Sequence, residues 1–484
     1  MAASKYILAK DHLLRQIREH LPLSGRDQLK LVILLSVPSM LAQLSIIAMQ
    51  YIDASMVGEL GAAASASIGL VSTTIWLFSG VNHSLSTGYY VQVAHNIGAG
   101  NFSRARQIFR ESLISCLGYS TLLALIGVAI SWQLPLWLGG DASICPDATI
   151  YFLYFSLCLP FVQLNTLCGG MLRSAGNIHV PSLLNILMCV LDILFNYLLI
   201  FPSRTLYGIT IPGAGLGVLG AVWGTALSYI ICSFIMCYFA CVRSKELNLF
   251  QDTGRYLPSR STLWKSITLS TPIALERIVM NAAQIASTVI VAPLGTVAIA
   301  ANSFGIIVES LCYMPGYGLA DGATVLIGQS LGAGRKKLTR CFGRITLSMG
   351  IGIMSTLAVI MYFFSPDLMT LMSPDLEVQR LTVECLRIEA WAEPMYGASI
   401  VAYGIFVGAG DTLVPCLLNF FSIWAVRIPI ALWLTQTMGL HGFWIAMAIE
   451  LTFRGTIFLL RFRGNAWMKR VCVEGKTKTP SSNN

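Results

Sequence analysis

Charged residues are scarce in this sequence of 484 residues. Asp, Glu, Lys and Arg together make up 11% of it, whereas soluble domains contain about 25%. Hydrophobic residues make up 55% of the chain. A soluble core cannot hold that much apolar sequence, so we expect lipid to be the solvent of most of the chain. This composition excludes an ordinary soluble enzyme or binding domain.

Three other features are missing from the sequence. No cleavable signal peptide is visible, because residues 5–21 are too charged for a signal core and instead fit an amphipathic cytoplasmic helix. No GxxxxGK[ST] motif occurs, so ATP hydrolysis is not the expected energy source. A disulfide framework is also not expected, because most of the 13 cysteines lie within apolar runs, where they pack rather than pair or bind metal.

Twelve apolar runs are long enough to cross a bilayer as helices. They cover residues 31–52, 66–92, 113–138, 149–171, 181–201, 216–242, 266–292, 297–328, 342–364, 380–406, 412–435 and 438–461. With the amino terminus inside, 26 Lys and Arg fall in inner segments and only 2, Arg204 and Arg380, in outer loops. This bias predicts that both termini are cytoplasmic. The net charge of +9 is therefore a topology signal, and we expect no nucleic-acid partner.

The two halves of the chain are related by a shift of 234 residues. Pro38 aligns with Pro272, and the GAG turn at 98–100 aligns with the GAG turn at 332–334. Prolines and glycines at a constant offset indicate an internal repeat. Because each repeat holds six helices, we expect a pseudo-twofold axis along the membrane normal and a cavity between the lobes. The predicted parts are an amphipathic amino terminus (1–30), two lobes (31–242 and 266–462), a cytoplasmic linker (243–265) and a basic tail (463–484).

Several stretches resemble the multidrug and toxic compound extrusion (MATE) transporters. They are PSMLAQLSIIAMQYIDASMVGELG at 38–61, the turns GAGNFSRAR and GAGRKK, the MPGYG and GATVLIGQSLGAG of 314–334, and the EP and FVGAGDTLVP of 393–415. The resemblance covers nearly all of residues 30–462. It implies export of organic, often cationic, compounds in exchange for H⁺ or Na⁺ by alternating access, in a bacterial inner membrane.

Carboxylates inside apolar helices are candidates for ion coupling, because a charge at the bilayer centre costs about 2.5–3.5 kcal/mol unless a proton or cation relieves it. Asp53 matches the family's helix-one acid in its spacing from Pro38 and in its flanking residues. Asp192 and Asn196 share one helix face, but family members often have this pair in reverse order, so the carboxylate is displaced by about 5.4 Å. Either Asp192 still shares one site with Asp53, or Asp192 and Asn196 form a structural polar pair. Ser228 either supplies a hydroxyl ligand or bonds its own helix backbone.

The second repeat offers further acids. Glu276 lies one turn before the family's usual helix-seven acid, where this chain has Met280. It is either a displaced coupling group or a partner of Arg277 or of another neighbour. Glu389 and Asp321 are further coupling candidates. The other acids of helices eight and ten are expected to form structural ion pairs. These acids are Glu309, Glu384 and Glu393, and the arginines available to them are Arg387, Arg427 and Arg454.

Two prolines and several neutral polar groups complete the candidates. Pro38 and Pro272 each remove a helix hydrogen bond, so each is a hinge or a static kink. Polar and aromatic side chains within apolar helices are candidate substrate contacts, although such groups also serve packing. These candidates are Asn82, Gln163, Asn165, Asn185 and Tyr317.

The sequence therefore predicts an all-α membrane protein with twelve helices in two six-helix lobes. We expect a monomeric exporter of small xenobiotics that uses no cofactor, with H⁺ favoured over Na⁺ as coupling ion. A lipid-linked oligosaccharide flippase of the same superfamily is an alternative. A membrane-embedded transferase is disfavoured because the acids lie inside helices rather than in an interfacial loop. A passive channel is disfavoured by the two-lobed repeat.

Overall fold

The computed structural model describes residues 2–206 and 209–469, so most of the predicted basic tail lies outside the described residues. Long helices dominate, because in lipid each backbone polar group needs a partner within its own segment. The first half contains α1 (Ala2–Arg18), α2 (Gly25–Gly58), α3 (Ala62–Gly98), α4 (Phe102–Ile130), α5 (Leu134–Trp137), α6 (Cys145–Ser174), α7 (His179–Ile200) and α8 (Val218–Tyr238). The second half contains α9 (Arg260–Val291), α10 (Thr296–Gly332), α11 (Lys336–Met372), α12 (Leu376–Glu389), α13 (Glu393–Gly408), α14 (Leu413–Phe421), α15 (Ile428–Met438) and α16 (Leu440–Arg463).

These helices form two lobes of six spans each, which confirms the predicted fold. In the described part of the chain, eleven helical segments are long and apolar enough to cross a bilayer. The tenth span is instead divided into α12 and α13 by residues 390–392. The predicted continuous helix over 380–406 was therefore wrong. Pro394 explains the break, because proline lacks an N–H and disfavours helix before it.

Several helix boundaries also differ from the prediction by a few residues, and two regions contain an element that was not predicted. The third span ends at Ile130, eight residues before the predicted end, and the short α5 with its Pro135 follows as a separate element. An antiparallel hairpin of β1 (Pro202–Leu206) and β2 (Ile209–Ala214) follows the fifth span, where a loop was expected. Short β-branched and polar runs of this kind are a weak signal beside the long apolar helices.

One face of the bundle carries α1, residues 244–259 between the lobes, and residues 464–469; we call it the linker face. Arg18 of α1 pairs with Glu246 at 3.5 Å, and Arg335 donates to the carbonyl oxygen of Gln16 at 3.1 Å. The amphipathic amino-terminal helix therefore lies against both lobes. The opposite face, which carries β1 and β2, is the hairpin face.

Two arginines that are 234 residues apart anchor the chain that leaves each lobe. Arg106 Nε lies 2.6 Å from an Asp252 carboxylate oxygen, and this hydrogen bond holds the pKa of Asp252 below its usual range. Arg340 donates to the carbonyl oxygens of Arg463 and Gly464, each at 3.0 Å. The linker is thus a folded segment held on α4, and α9 already begins at Arg260 rather than near 266.

The lobes meet most closely at the linker face, where α3 and α10 cross. A Cβ atom at Gly98 would lie 2.0 Å from the carbonyl oxygen of Gln329, and one at Gly332 would lie 2.1 Å from that of His95. Gly98 and Gly332 belong to the two aligned GAG turns. Only glycine permits this approach, which explains the residue type at both positions.

The same crossing carries two equivalent hydrogen bonds between the lobes. His95 Nε2 lies 2.8 Å from the carbonyl oxygen of Gly408, and Gln329 Nε2 donates to that of Ser174 at 2.7 Å. Both the side chains and their acceptors are 234 residues apart. The structure therefore confirms the internal repeat at the level of single hydrogen bonds. The same contacts close the space between the lobes at the linker face.

We predict that adding one methyl group at this crossing destabilises the protein. Gly98→Ala places a carbon against the backbone of α10, and overpacking of this kind costs about 1–3 kcal/mol. Thermal unfolding of the purified protein in detergent should show a lower midpoint for Gly98→Ala and for Gly332→Ala. Gly352→Ala in α11 is the control, because nothing lies within 4 Å of its Cβ position. Equal midpoints for all three variants would contradict the assigned role of the crossing.

Candidate functional site

Two acids of the first lobe meet at one asparagine. Asn196 Nδ2 donates to Asp53 Oδ1 at 2.9 Å and to Asp192 Oδ2 at 3.2 Å. Asp192 and Asn196 are one turn apart on α7, and α2 brings Asp53 to the same place. Asp192 is fully buried, whereas Asp53 is partly accessible. The reversed order of the α7 pair therefore does not prevent the two carboxyl groups from sharing one site.

Further oxygen atoms surround this acid pair. Ser228 Oγ lies 3.5 Å from Asp192 Oδ1, but it donates at 2.7 Å to the Thr225 carbonyl oxygen in its own helix. Asn196 Oδ1 is buried without a hydrogen-bond partner among the described residues. No basic group of the described chain lies within ion-pair distance of Asp53 or Asp192. Asp53, Asp192 and Asn196 could thus hold a proton or a small cation between them.

An ion-paired triad occupies the second lobe. Arg427 Nη2 donates to Glu450 at 2.6 Å, and Arg454 donates to the same carboxylate at 3.2 Å. Ser422 Oγ donates to the other Glu450 oxygen at 2.5 Å. We expected these arginines to pair with the acids of helices eight and ten, which was wrong. Sequence reasoning missed Glu450, although its spacing of four residues from Arg454 on one helix was a usable signal.

The remaining acids of the second lobe have different environments. Glu384 pairs with Arg380 at 3.0 Å and with His441 at 2.7 Å near the surface. Glu389 and Glu393 flank the helix break and are fully buried, and none of their four carboxylate oxygens has a partner among the described residues. The expected ion pair of Glu393 was therefore wrong, and coupling through Glu389 stays a prediction. A buried carboxylate without a partner is costly unless it carries a proton or meets a cation.

One more acid lies near these groups. Glu309 of α10 is buried within electrostatic range of Glu389 and Glu393. It has no ion pair among the described residues, although the charges of Arg427 and Arg454 act on it. The structure thus brings three glutamates together beside the triad.

Glu276 has neutral partners. The Tyr403 hydroxyl donates to one of its oxygens, and Asn419 Nδ2 donates to the other at 2.5 Å. Arg277 forms no ion pair with it in the described structure, so the partners of Glu276 are other neighbours. Asn419 is the repeat equivalent of Asn185. Whether Glu276 takes part in coupling stays a prediction.

The predicted substrate contacts separate into two groups. Asn82 donates to the Leu159 carbonyl oxygen at 3.3 Å, and Gln163 donates to Ser86 at 3.0 Å. Both amides are buried between α3 and α6, so they hold the lobe together and no ligand between the lobes can reach them in this conformation. The three other candidates differ in exposure. Asn165 is mostly buried, whereas Asn185 and Tyr317 are partly accessible.

The predicted hinges lie inside continuous helices. Pro38 is within α2 and Pro272 is within α9, and neither helix is interrupted. The backbone around Ser39 and Met40, next to Pro38, lies against Gly318 of α10 in the other lobe. The first proline therefore stands at an interlobe contact, and its role as a hinge stays a prediction.

We predict that a Glu→Gln substitution has opposite effects on the thermal unfolding midpoint in the triad and at an unpaired glutamate. Glu450→Gln leaves Arg427 and Arg454 without their ion-pair partner, and breaking a buried ion pair typically costs about 3–5 kcal/mol. Glu389→Gln removes a carboxyl group that has no partner, so the unfolding midpoint should stay unchanged or rise. The midpoints of both variants are measured by thermal unfolding in detergent, with Glu384→Gln as the exposed control. A fall for Glu389→Gln as large as that for Glu450→Gln would show that Glu389 is also ion-paired.

Comparisons with known proteins agree with this architecture. A family model described as MatE matches the chain twice, over residues 38–198 and 272–433. The probable multidrug resistance protein NorM of Thermotoga maritima is 25% identical over 471 residues, which cover 97% of this chain and 98% of the relative. The protein of the same name from Idiomarina loihiensis is 25% identical over 445 residues, covering 88% and 92%.

Solved structures share the fold. A MOP superfamily transporter from Pyrococcus furiosus, described as having a binding pocket of reverse polarity, gives a TM-score of 0.83 at 19% identity and covers 93% of this chain and 97% of its own. A mutant of the MATE transporter VcmN from Vibrio cholerae gives a TM-score of 0.82 at 19% identity, with coverage of 94% and 97%.

Proposed function

The chain belongs to the MatE family of membrane transporters, and from that premise we propose that it exports small xenobiotics from a bacterial cytoplasm in exchange for protons. The observation that carries the coupling is the acid pair Asp53 and Asp192, joined through Asn196 within the helices of the first lobe. The names of the curated relatives support the multidrug substrate range. No covalent chemistry is required of the protein.

One proton suits this acid pair better than Na⁺ does. A proton on either carboxyl group converts two adjacent negative charges into one and needs no further ligand. Na⁺ would need several oxygens at close range, but Ser228 is engaged with its own helix and lies 3.5 Å from Asp192. We therefore favour H⁺ coupling through Asp53, Asp192 and Asn196, with Ser228 as a weaker contributor.

Helix α2 connects this site to the interface between the lobes. It carries Asp53 and, at the level of Ser36 to Met40, packs against Gly318 and Gly322 of α10. A change of charge at Asp53 alters the preferred position of α2, and Pro38 lies at the contact where that movement would be absorbed. This connection supports alternating access, in which loss of the proton and release of substrate occur on opposite faces.

We further propose that the linker face is cytoplasmic and that this conformation faces outward. The basic residues between the spans favour that orientation. The close contacts of Gly98 and Gly332 lie at the linker face, so closure there blocks access from the cytoplasm. Glu389, together with Glu393 and Glu309, is proposed as a second cation-accepting position in the other lobe, because its carboxylate has no protein partner among the described residues.

Uptake of ethidium by everted vesicles tests the coupling proposal. An imposed proton gradient should drive uptake, and a Na⁺ gradient alone should not. Asp53→Asn and Asp192→Asn should each reduce gradient-driven uptake to background, because the amide cannot accept and release a proton. Asp147→Asn is the matched control, because Asp147 is exposed in the first turn of α6.

Three results would contradict the proposal. Wild-type uptake by both Asp variants, at equal protein level and unfolding midpoint, would place the coupling site elsewhere. Uptake driven only by Na⁺ would replace the proton by that ion. Loss of uptake in Asp147→Asn would mean that the assay reports folding rather than coupling.

A further inference from the structure

Two thiols meet at the end of α8 that leads into the linker. Cys237 Sγ and Cys241 Sγ lie 3.6 Å apart, which is contact distance between side chains. Cys237 is in the last turn of α8, and Cys241 is in the π-helical turn Phe239–Arg243 that continues it. We call this pair the dithiol. Its geometry goes beyond the expectation that the cysteines of this chain serve only as packing residues.

A third thiol lies behind the dithiol on a neighbouring helix. Cys168 of α6 is fully buried, and it interacts with both Cys237 and Cys241, which pack against the same buried cluster. Cys237 and Cys241 themselves are partly exposed. Within the described part of the chain, no group of three His, Cys, Asp or Glu side chains is arranged to hold a metal ion. The geometry therefore favours formation of a bond between the two accessible sulfur atoms.

Lipid borders the accessible side of the dithiol. Phe234 and Tyr238 are exposed aromatic residues of the same span, and each precedes one of the two cysteines by three residues. Residues three apart are neighbours on a helix surface. An apolar oxidant that is dissolved in the bilayer can thus approach the two sulfur atoms along this surface.

The dithiol also lies directly before the linker. The Leu249 N–H donates to the Cys241 carbonyl oxygen at 2.9 Å, and Asn248 Nδ2 donates to that of Val242 at 2.9 Å. Arg110 of α4 donates in turn to the Leu249 carbonyl oxygen at 2.5 Å. The turn that carries Cys241 therefore anchors the first residues of the linker.

We infer that Cys237 and Cys241 are a site of reversible oxidation by a lipid-soluble quinone, and that the resulting disulfide stabilises the turn that anchors the linker. Two S–H bonds break and one Sγ–Sγ bond forms. The two electrons and two protons convert the quinone into its hydroquinone. Residues four apart in a helix have Cα atoms about 6 Å apart, which is within the range that disulfides span.

The site suits a transient bond rather than a permanent one. The sulfur atoms must approach from 3.6 Å to the roughly 2.05 Å of a disulfide. A π-helical turn, which is frequent at functional positions, lies where the backbone must adjust. Disulfides in a reducing cytoplasm are usually redox-sensing, and a small thiol restores the dithiol by thiol–disulfide exchange.

Mass mapping of the purified full-length protein tests this site. The reduced protein in detergent is treated with duroquinone, whose ring carbons all bear methyl groups, so that it oxidises thiols rather than adding to them. The peptide with Cys237 and Cys241 should become lighter by two hydrogens and resist alkylation, and dithiothreitol should reverse both changes. Cys237→Ser and Cys241→Ser should each reduce this product to background.

Two further cysteine variants make the assignment specific. Cys341→Ser should keep the product, because the Cys341 thiol donates to Gln28 Oε1 at 2.8 Å rather than contacting a sulfur atom. Cys168→Ser should form the Cys237–Cys241 disulfide to the same extent as the wild type. A disulfide from Cys168 to either α8 cysteine would overturn the assignment. Free thiols that persist at Cys237 and Cys241, or equal oxidation of Cys341, would also overturn it.

Amide hydrogen exchange tests the effect on the linker. Oxidation should slow exchange at Leu249, because its N–H donates to the Cys241 carbonyl oxygen. The same quinone treatment should leave exchange at Leu249 unchanged in Cys237→Ser. Unchanged exchange in the oxidised wild type would overturn the stabilisation of this turn. Because no gradient or substrate is involved, these results are independent of the ethidium experiment.

Discussion

A charge inside an apolar helix bundle must have a partner, a proton or access to water, and this constraint determines the placement of the buried polar groups. The second lobe satisfies it at Glu450, which accepts from Arg427 and Arg454, but not at Glu389 and Glu393, whose carboxylates have no partner among the described residues. The first lobe does not satisfy this constraint at Asp53 and Asp192, because these acids have only the Asn196 amide between them. A complete ion pair fixes a structure, whereas an incomplete one responds to the ions around it. The acids without a complete ion pair are therefore the positions at which we propose that a gradient acts.

Coupling also needs a mechanical connection between the acid pair and the closed face. In the proposed mechanism helix α2 is this connection, because it carries Asp53 at one level and contacts Gly318 and Gly322 at another. The contact is close only because these α10 positions are glycines. A small displacement of α2 must then be followed by α10 or must separate the lobes, because close-packed helices do not deform continuously. In the proposed mechanism, neutralisation of one acid in this way changes the relative position of the two lobes.

Hydropathy and the repeat were sufficient to predict the twelve spans and the two lobes, because both depend on local sequence. The break before Pro394 had a local signal in the proline, but the apolar run around it favoured one continuous helix. The partner of Arg427 could not be predicted in the same way, since it depends on the packing of α16 against the segment before α15. The pairing of Asp53 with Asp192 was expected only as one option, because their distance depends on how α2 packs on α7.

Residues that are 234 positions apart fall into two kinds: some make the same contact in both repeats, and others differ in chemistry between the repeats. Shifted by 234 positions, Gly98 corresponds to Gly332 and His95 to Gln329, and each pair makes the same contact across the lobes. Asp192 instead corresponds to Val426, and Arg277 to Gln43.

Groups that must close a symmetric gate are constrained in both repeats, because each half needs the same close approach. Groups that bind an ion or a substrate need to occur only once, in the lobe where the neighbouring helices support them. Comparing the repeats of a single chain thus distinguishes mechanical positions from chemical ones. By this criterion the acid pair of the first lobe has a chemical role, while the glycine crossing has a mechanical one.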